Sequence, residues 1–150
     1  MIRNRTTVKA KPGLFLQPYV VAQLSGALIE AIVEGSEVTA REYAVTSWLN
    51  VVQSATPTQL AHDLAFAPTT LSAMIDRLVQ KGQIRKVPHP EDGRSYVLEP
   101  TPRGKATNAR NAKRYWQSMQ AMLSHLEGDP EEILEAMRRL EQALRKTLTS

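Results

Sequence analysis

The sequence contains no cysteine among its 150 residues. This absence excludes a disulfide framework, thiolate catalysis, a zinc site with cysteine ligands and redox sensing by thiol oxidation. The seven glycines are isolated from one another, so there is no glycine-rich phosphate loop, and there is no nucleophile elbow. The three histidines, His62, His89 and His125, are not at metal-ligand spacing. An enzyme is therefore not expected, and no cofactor or metal site is predicted.

Long hydrophobic runs are also missing. The most apolar stretch, residues 14–33, follows a basic N-terminus as the core of a signal peptide does. It is interrupted by polar or helix-breaking residues: Gln17, Pro18, Gln23, Ser25 and Glu30. No window holds the roughly 18 uncharged apolar residues of a membrane helix. The expected location is the cytoplasm, with no membrane partner.

The net charge is small, with 19 basic against 15 acidic side chains, but it is unevenly distributed. Residues 68–114 carry ten basic and four acidic side chains, a surplus of six. The preceding residues 14–67 and the following residues 115–150 are both net acidic. A basic middle of this kind indicates a polyanionic partner such as DNA. The alternative is an ordinary solvated charged face, and charge alone does not separate the two.

The length favours a single domain over residues 1–150, and the apolar periodicity predicts a mainly α fold with a small β-hairpin. Thr39 and Glu42 form a capping box for the second helix, whose expected core side is Tyr43, Val45, Leu49 and Val52. The predicted order is helices over about 18–34, 40–52, 57–64 and 68–82, strands over 83–87 and 95–99, and helices over about 102–126 and 130–148. Two helices followed by a hairpin are the plan of a winged helix-turn-helix module.

The helix that starts at Pro68 has the pattern of a DNA recognition helix. At about 100° per residue, its large apolar side chains fall in one narrow sector and are expected in the core: Leu71, Met74, Ile75 and Leu78. The opposite face is short and rich in hydroxyls, which suits entry into a major groove. Two threonines in a first turn are also compatible with a capping role. The residues predicted on or beside the outward face are Thr69, Thr70, Ser72, Ala73, Asp76, Arg77 and Gln80.

The hairpin supplies the rest of the predicted interface. Asp76 is an acid on a surface meant for phosphates, so we expect a cation to neutralise it, and Arg94 across the hairpin is the predicted partner. Arg94, beside Gly93, is also placed to enter a minor groove, although an ordinary turn arginine would have the same sequence. The further predicted contacts in and around the hairpin are Arg85, Lys86 and His89, and phosphate contacts are predicted at Arg103, Lys105, Arg110, Lys113 and Arg114.

Residues 56–104 resemble the MarR family of bacterial transcriptional regulators. The resemblance rests on Asp76-Arg77-Leu78 followed by Lys81-Gly82, on Asp92 and Arg94, and on the segment 101–104, Thr-Pro-Arg-Gly. Together these motifs are specific, whereas each alone is weak. Residues 1–13 lack apolar periodicity and end in Lys-Pro-Gly, which predicts a flexible basic arm. The resemblance implies dimerisation helices at 14–36 and 102–150 and a winged helix-turn-helix at 39–100.

The resemblance further implies a homodimer that binds double-stranded DNA at a palindromic operator, as a repressor. Pro68, Thr69, Thr70, Ser72, Ala73 and Arg77 then fall on the recognition helix, and Asp92 and Arg94 on the wing, with Asp76 and Asp92 orienting it. It also implies a ligand crevice that takes a small aromatic or phenolic acid and releases DNA. Aromatic side chains available to line it are Tyr19, Tyr43, Trp48 and Tyr115, although each is equally compatible with a core position.

Four positions depart from the family pattern. Ala65 occupies a turn position where glycine is usual, and Ala67 occupies a capping position where serine is usual; an absent cap costs about 1 kcal/mol. Ala73 and Gly93 occupy positions where arginine is frequent. Alanine at 73 weakens recognition of bases, and glycine at 93 reduces the positive charge of the wing. These two residues give some support to the alternative function, a dimeric winged-helix module for protein or ligand binding without specific DNA binding.

Overall fold

The computed structural model describes residues 13–149. Over that range it is mainly helical, with one two-stranded antiparallel sheet. The elements are α1 (Leu16–Ile32), α2 (Ala40–Val52), α3 (Pro57–Asp63), α4 (Pro68–Gln80), β1 (Ile84–Pro88), β2 (Tyr96–Pro100), α5 (Pro102–His125) and α6 (Pro130–Leu148). The predicted fold class and element order are confirmed. The predicted basic arm at 1–13 lies, except for Gly13, outside the described residues.

Three helices begin at caps that are legible in the sequence. Thr39 and Glu42 close a reciprocal capping box at the start of α2, and Thr56 and Gln59 do the same at α3. The Asp129 side chain accepts a hydrogen bond from the backbone N–H of Glu131 at the start of α6. Each cap satisfies amide groups that lack partners inside the helix, which is why these three boundaries were predictable.

The core forms where α2, α3, α4 and the hairpin pack together. Its fully buried side chains come from each of these elements: Val45 and Leu49 from α2, Leu60 from α3, Leu71, Met74, Ile75 and Leu78 from α4, and Ile84 and Leu98 from the strands. Burial of one such aliphatic side chain contributes about 1.5–3 kcal/mol. The expected core role of Val52 is wrong, because α2 ends there and its side chain is 38% exposed.

The hairpin runs antiparallel with Ile84 opposite Pro100 and Val87 opposite Val97. Both strands begin one residue later than predicted. An isolated bridge between Ala55 and Leu98 ties the hairpin to the segment between α2 and α3. The wing is therefore fixed to the helical core at its base by main-chain pairing as well as by buried side chains.

The described chain divides into two compact units, one ending at Arg114 and the other beginning at Tyr115. The first contains the core described above, and α1 contributes only Ile32 to its buried residues. The second contains the end of α5 and all of α6, and no residue of α6 is buried. Over residues 13–149, no helix combines the length and the apolar character that a membrane crossing requires.

Candidate nucleic-acid interface

The two faces of α4 are as predicted. Leu71, Met74, Ile75 and Leu78 are at most 2% exposed and anchor the helix in the core. The opposite face is exposed at Thr69, Ser72, Ala73, Asp76 and Gln80, and Thr70 is half-buried beside it. Apart from Asp76 this surface is uncharged and short, so it can approach base edges closely.

The turn before α4 contains two residues that fit their positions poorly. Ala65 has a φ of 54°, in the left-handed region that disfavours residues with a Cβ. Ala67 is the N-cap of α4 and makes no side-chain hydrogen bond to the helix. The departures from the family pattern at Ala65 and Ala67 therefore lie in a turn that has neither a glycine nor a side-chain cap. Exposed Pro68 fills the first helical position, which its fixed φ suits.

Arg77 makes an ion pair that sequence reasoning missed. Its Nε donates to Oε1 of Glu42 at 3.2 Å, and Lys81 Nζ donates to Oε2 of the same carboxylate at 2.7 Å. The Glu42 residue has no solvent exposure. Its role in the capping box was visible in the sequence, but its partners lie 35 and 39 residues away, beyond what local spacing reveals.

The charge state of Glu42 follows from these contacts. Burial by itself raises the pKa of Glu42, but hydrogen bonds from Lys81, the Thr39 N–H and Arg77 outweigh it and hold the pKa below the usual value of 4.5. Hydrogen bonds to an ionised carboxylate favour the charged form. Glu42 is therefore an anion at neutral pH and a fixed counter-charge for α4.

Asp76 contacts the wing through a different residue from the one predicted. Its Oδ1 lies 3.7 Å from Nζ of Lys86, on β1, and this ion pair replaces the expected pair with Arg94. Lys86 Nζ also lies 5.0 Å from the centre of the Tyr96 ring on β2, within range of a cation–π contact. The cation comes from the strand, because Asp76 lies beside the middle of β1 and not beside the tip of the hairpin.

The tip of the wing is held by Asp92 and His89. The Asp92 side chain accepts a hydrogen bond from the Arg94 N–H at 3.0 Å. His89 Nδ1 accepts hydrogen bonds from the N–H groups of Glu91 and Asp92 at 3.1 and 3.2 Å. His89 is half-buried, and its Nδ1 is used within the turn. Nε2 is therefore the ring nitrogen that remains available for the predicted contact to DNA. The Arg94 side chain is exposed at the tip.

Several of the predicted phosphate-binding cations have acceptors within the protein. Arg85 pairs with Glu99 across the hairpin, with Nη2 and Oε2 2.8 Å apart. Arg103 pairs with Glu37 at 2.9 Å. Arg114 donates to the carbonyl oxygen of Glu34 at 2.6 Å. Lys105 and Lys113 are exposed. The surplus of positive charge in this block is thus partly committed to internal contacts, which net-charge counting does not show.

The base of the wing rests on a polar cluster centred on Gln83, which is fully buried. Its Nε2 donates to Glu37 at 2.7 Å and to Thr107 at 3.2 Å. A hydrogen bond from Arg103 is the main reason that the pKa of Glu37 lies below its usual value. A Cβ at Gly104 would lie 2.0 Å from the Gln83 carbonyl oxygen, so only glycine fits. Sequence reasoning found Gly104 in a motif but not this cluster.

The four aromatic residues predicted for a ligand crevice have different surroundings. Tyr43 is buried in the core and Tyr19 is 62% exposed on α1. Trp48 donates its Nε1 hydrogen to Asp63 at 3.0 Å, and Tyr115 packs edge-on against Trp116 in the second unit. Two clefts in the described part of the first unit have volumes of about 400 and 280 Å³, and none of the four residues lines either one.

A short helix, a tight turn and a second helix followed directly by a β-hairpin define a winged helix-turn-helix protein. Comparison with known families gives the same result, because the MarR family model matches residues 38–96. Residues 38–96 therefore match the MarR family, as the resemblance found in the sequence predicted.

Similar proteins include the multiple antibiotic resistance protein MarR of Salmonella typhimurium, which is 29% identical over 118 residues, covering 78% of this chain and 82% of that protein. Among solved structures, a MarR variant from Escherichia coli in complex with operator DNA has a TM-score of 0.71 at 23% identity, covering 85% of this chain and 91% of that chain. The transcriptional regulator BldR from Sulfolobus solfataricus has a TM-score of 0.75 at 18% identity, with the same coverage. These structures confirm the fold.

Proposed function

We propose that this protein is a sequence-specific DNA-binding transcriptional regulator and not an enzyme, and that it represses transcription. The observation that carries the proposal is the exposed, hydroxyl-rich face of α4, which is followed by the hairpin and lies within the basic block of residues 68–114. On DNA, α4 lies in the major groove with Thr69, Ser72 and Ala73 toward the bases. Arg94 at the wing tip then reaches the adjacent minor groove, where arginine is electrostatically favoured. The related MarR structure in complex with operator DNA supports this assignment.

The protein is proposed to act as a homodimer on a palindromic operator. Each of two regions outside the winged helix presents apolar side chains to solvent. Leu24 on α1 is 68% exposed, and Met137 and Leu148 on α6 are 52% and 86% exposed. Apolar surface of this kind marks a protein interface. A twofold dimer reads two half-sites about one helical turn apart, roughly 34–36 Å.

The proposal includes release of DNA by a small aromatic or phenolic acid. The cleft of about 280 Å³ is lined by Arg110 and Arg114 together with Glu34, Glu37 and polar side chains. Guanidinium groups are suitable partners for a carboxylate, which would have to share them with Glu37 and the Glu34 carbonyl oxygen. Benzoate and hydroxybenzoate are the probes for this step. Reversal of DNA retardation by either acid supports this step. Unchanged retardation at acid concentrations up to about 10 mM contradicts it, because a ligand that binds more weakly has a binding free energy of less than about 3 kcal/mol.

The decisive experiment is a gel-retardation titration at low salt, first on mixed-sequence duplex and then on the DNA that flanks the coding sequence. A regulator retards both, with an affinity that falls steeply as salt rises, and it binds an inverted repeat more tightly. Ser72→Glu is expected to weaken binding by tenfold or more, about 1.4 kcal/mol, because it adds a carboxylate to the groove-facing side of α4. Gln142→Glu on α6 makes the same charge change outside the winged helix and should leave affinity unchanged. Absence of retardation by the wild-type protein would favour the non-DNA-binding module.

A further inference from the structure

The buried carboxylate of Glu42 joins α2 to α4 through both of its oxygens. Oε1 accepts from Arg77 Nε, and Oε2 accepts from Lys81 Nζ and from the Thr39 backbone N–H at 2.9 Å. Arg77 and Lys81 are four residues apart, so they lie on one stripe of α4. That stripe borders the outward face on the side toward α2. An unpaired charge without solvent exposure is strongly unfavourable, so the position of this carboxylate is tied to both cations.

Arg77 uses only one edge of its guanidinium for this contact. The interaction is made by Nε, and Nη1 and Nη2 make no hydrogen bond within the described part of the chain. The Arg77 side chain is 53% exposed although its partner is completely buried. Because the guanidinium is a rigid planar fork, fixing Nε fixes the direction of the two terminal amino groups.

We propose that Glu42 is a positioning residue for DNA binding, which holds the Arg77 guanidinium so that Nη1 and Nη2 donate to a backbone phosphate at the edge of the major groove entered by α4. This inference rests on the proposed function. The Glu42 carboxylate touches no DNA itself. It acts through Arg77, whose Nε it binds from inside the protein.

The charges of the cluster suit this role. One carboxylate against two cations leaves a single positive charge, so the cluster still attracts a phosphate. Lys81 neutralises much of the charge of Glu42, so Nη1 and Nη2 of Arg77 remain available for a phosphate. An arginine held in one orientation before binding loses less side-chain entropy on contact than a mobile one. The lowered pKa of Glu42 means that the holding charge is present at neutral pH.

The test measures affinity for mixed-sequence duplex across a range of salt concentrations with the full chain, below the melting temperature of each variant. Glu42→Gln and Arg77→Ala are each expected to weaken binding about tenfold, as loss of a charge-assisted hydrogen bond would. Each should also reduce the slope of log affinity against log salt by about 0.9 for each subunit in which the contact between Arg77 and a phosphate is lost. In an Arg77→Ala background, Glu42→Gln should have no further effect on the slope.

Thr56→Ala is the matched control. It removes the hydroxyl half of the capping box of α3 and destabilises that helix without touching Glu42, so its salt slope should equal that of wild type. The inference is overturned if Arg77→Ala keeps the wild-type slope, a result that does not depend on the folding of Glu42→Gln. It is also overturned if Glu42→Gln and Thr56→Ala change the slope equally. Absence of any DNA binding by the wild-type protein would instead overturn the proposed function.

Discussion

At the scale of single residues, three carboxylates form ion pairs with cations of the basic block, residues 68–114. Glu42 lies in the core, Glu37 beneath the wing and Asp76 at the surface. A pair in the core restricts two elements strongly, whereas a pair at the surface contributes at most about 1 kcal/mol. The three acids therefore differ in what their removal should change.

Glu42 should make the stability of the fold depend on pH. Its pKa is lowered in the folded state, so its contribution to stability is present above the unfolded value of about 4.5 and is lost as the pH falls through the folded pKa. We expect the free energy of unfolding, measured by urea denaturation, to fall on acidification below about pH 4.5. In Glu42→Gln, which we expect to be less stable by about 3 kcal/mol at neutral pH, this part of the pH dependence should be reduced. An equally steep fall in the variant would contradict the assignment.

Asp76 should influence affinity more than stability. Its ion pair with Lys86 is exposed, with 62% of the acid and 43% of the lysine side chain accessible. Asp76→Asn removes a negative charge from the groove-facing surface and releases Lys86 toward phosphate, so duplex affinity should rise and the salt slope should steepen by about one per subunit. Glu135→Gln on α6 changes the net charge equally and serves as the control. An unchanged slope in Asp76→Asn would show that Lys86 is not restrained by this pair.

At the scale of elements, the turn between α3 and α4 is the least well adapted part of the winged helix. Ala67→Ser should supply the missing N-cap and stabilise the protein by about 1 kcal/mol, seen as a higher melting temperature. Ala73→Ser makes the same change on the exposed face of the same helix, where no cap is possible, and should be neutral or slightly destabilising. Equal effects of the two substitutions would show that α4 does not need a cap.

The elements also show how far local sequence patterns reach. The Thr39–Glu42 capping box predicted the start of α2 correctly, because it depends on residues within one turn. The periodicity of α4 placed its four core residues and its exposed face correctly. The partner of Asp76 was not predictable, since Lys86 and Arg94 are both basic residues of one hairpin and the choice depends on its packing. The Glu42 and Gln83 clusters were missed for the same reason, because their partners come from distant segments.

At the scale of the whole molecule, the second unit leaves the whole of α6 without a buried side chain. Residues 130–148 form a regular helix with no buried residue, and its apolar side chains repeat along one stripe that includes Met137, Leu144 and Leu148. In proteins, most of the stability of a helix comes from packing of its apolar face. The apolar stripe therefore predicts association, as does the exposed apolar surface of α1.

Charge placed on the flanking helices should separate the proposed dimer. We expect Leu24→Glu and Met137→Glu to lower the mass measured by light scattering toward that of one chain, about 16.7 kDa, and to weaken binding to an inverted repeat by well over tenfold, because two linked half-sites are read together. Val51→Glu alters a side chain on α2 that is 71% exposed but lies outside the flanking helices, and it should leave the mass unchanged. Wild-type protein that is already monomeric would contradict the dimer.

The contact between Gly104 and the Gln83 carbonyl oxygen has a consequence for how the wing can respond to its surroundings. This spacing is set by two backbone segments, so no change of side-chain rotamer can adjust it. The first turn of α5 and the base of β1 therefore behave like a fixed joint. We therefore expect a displacement of the first turn of α5 to move the base of β1 with it.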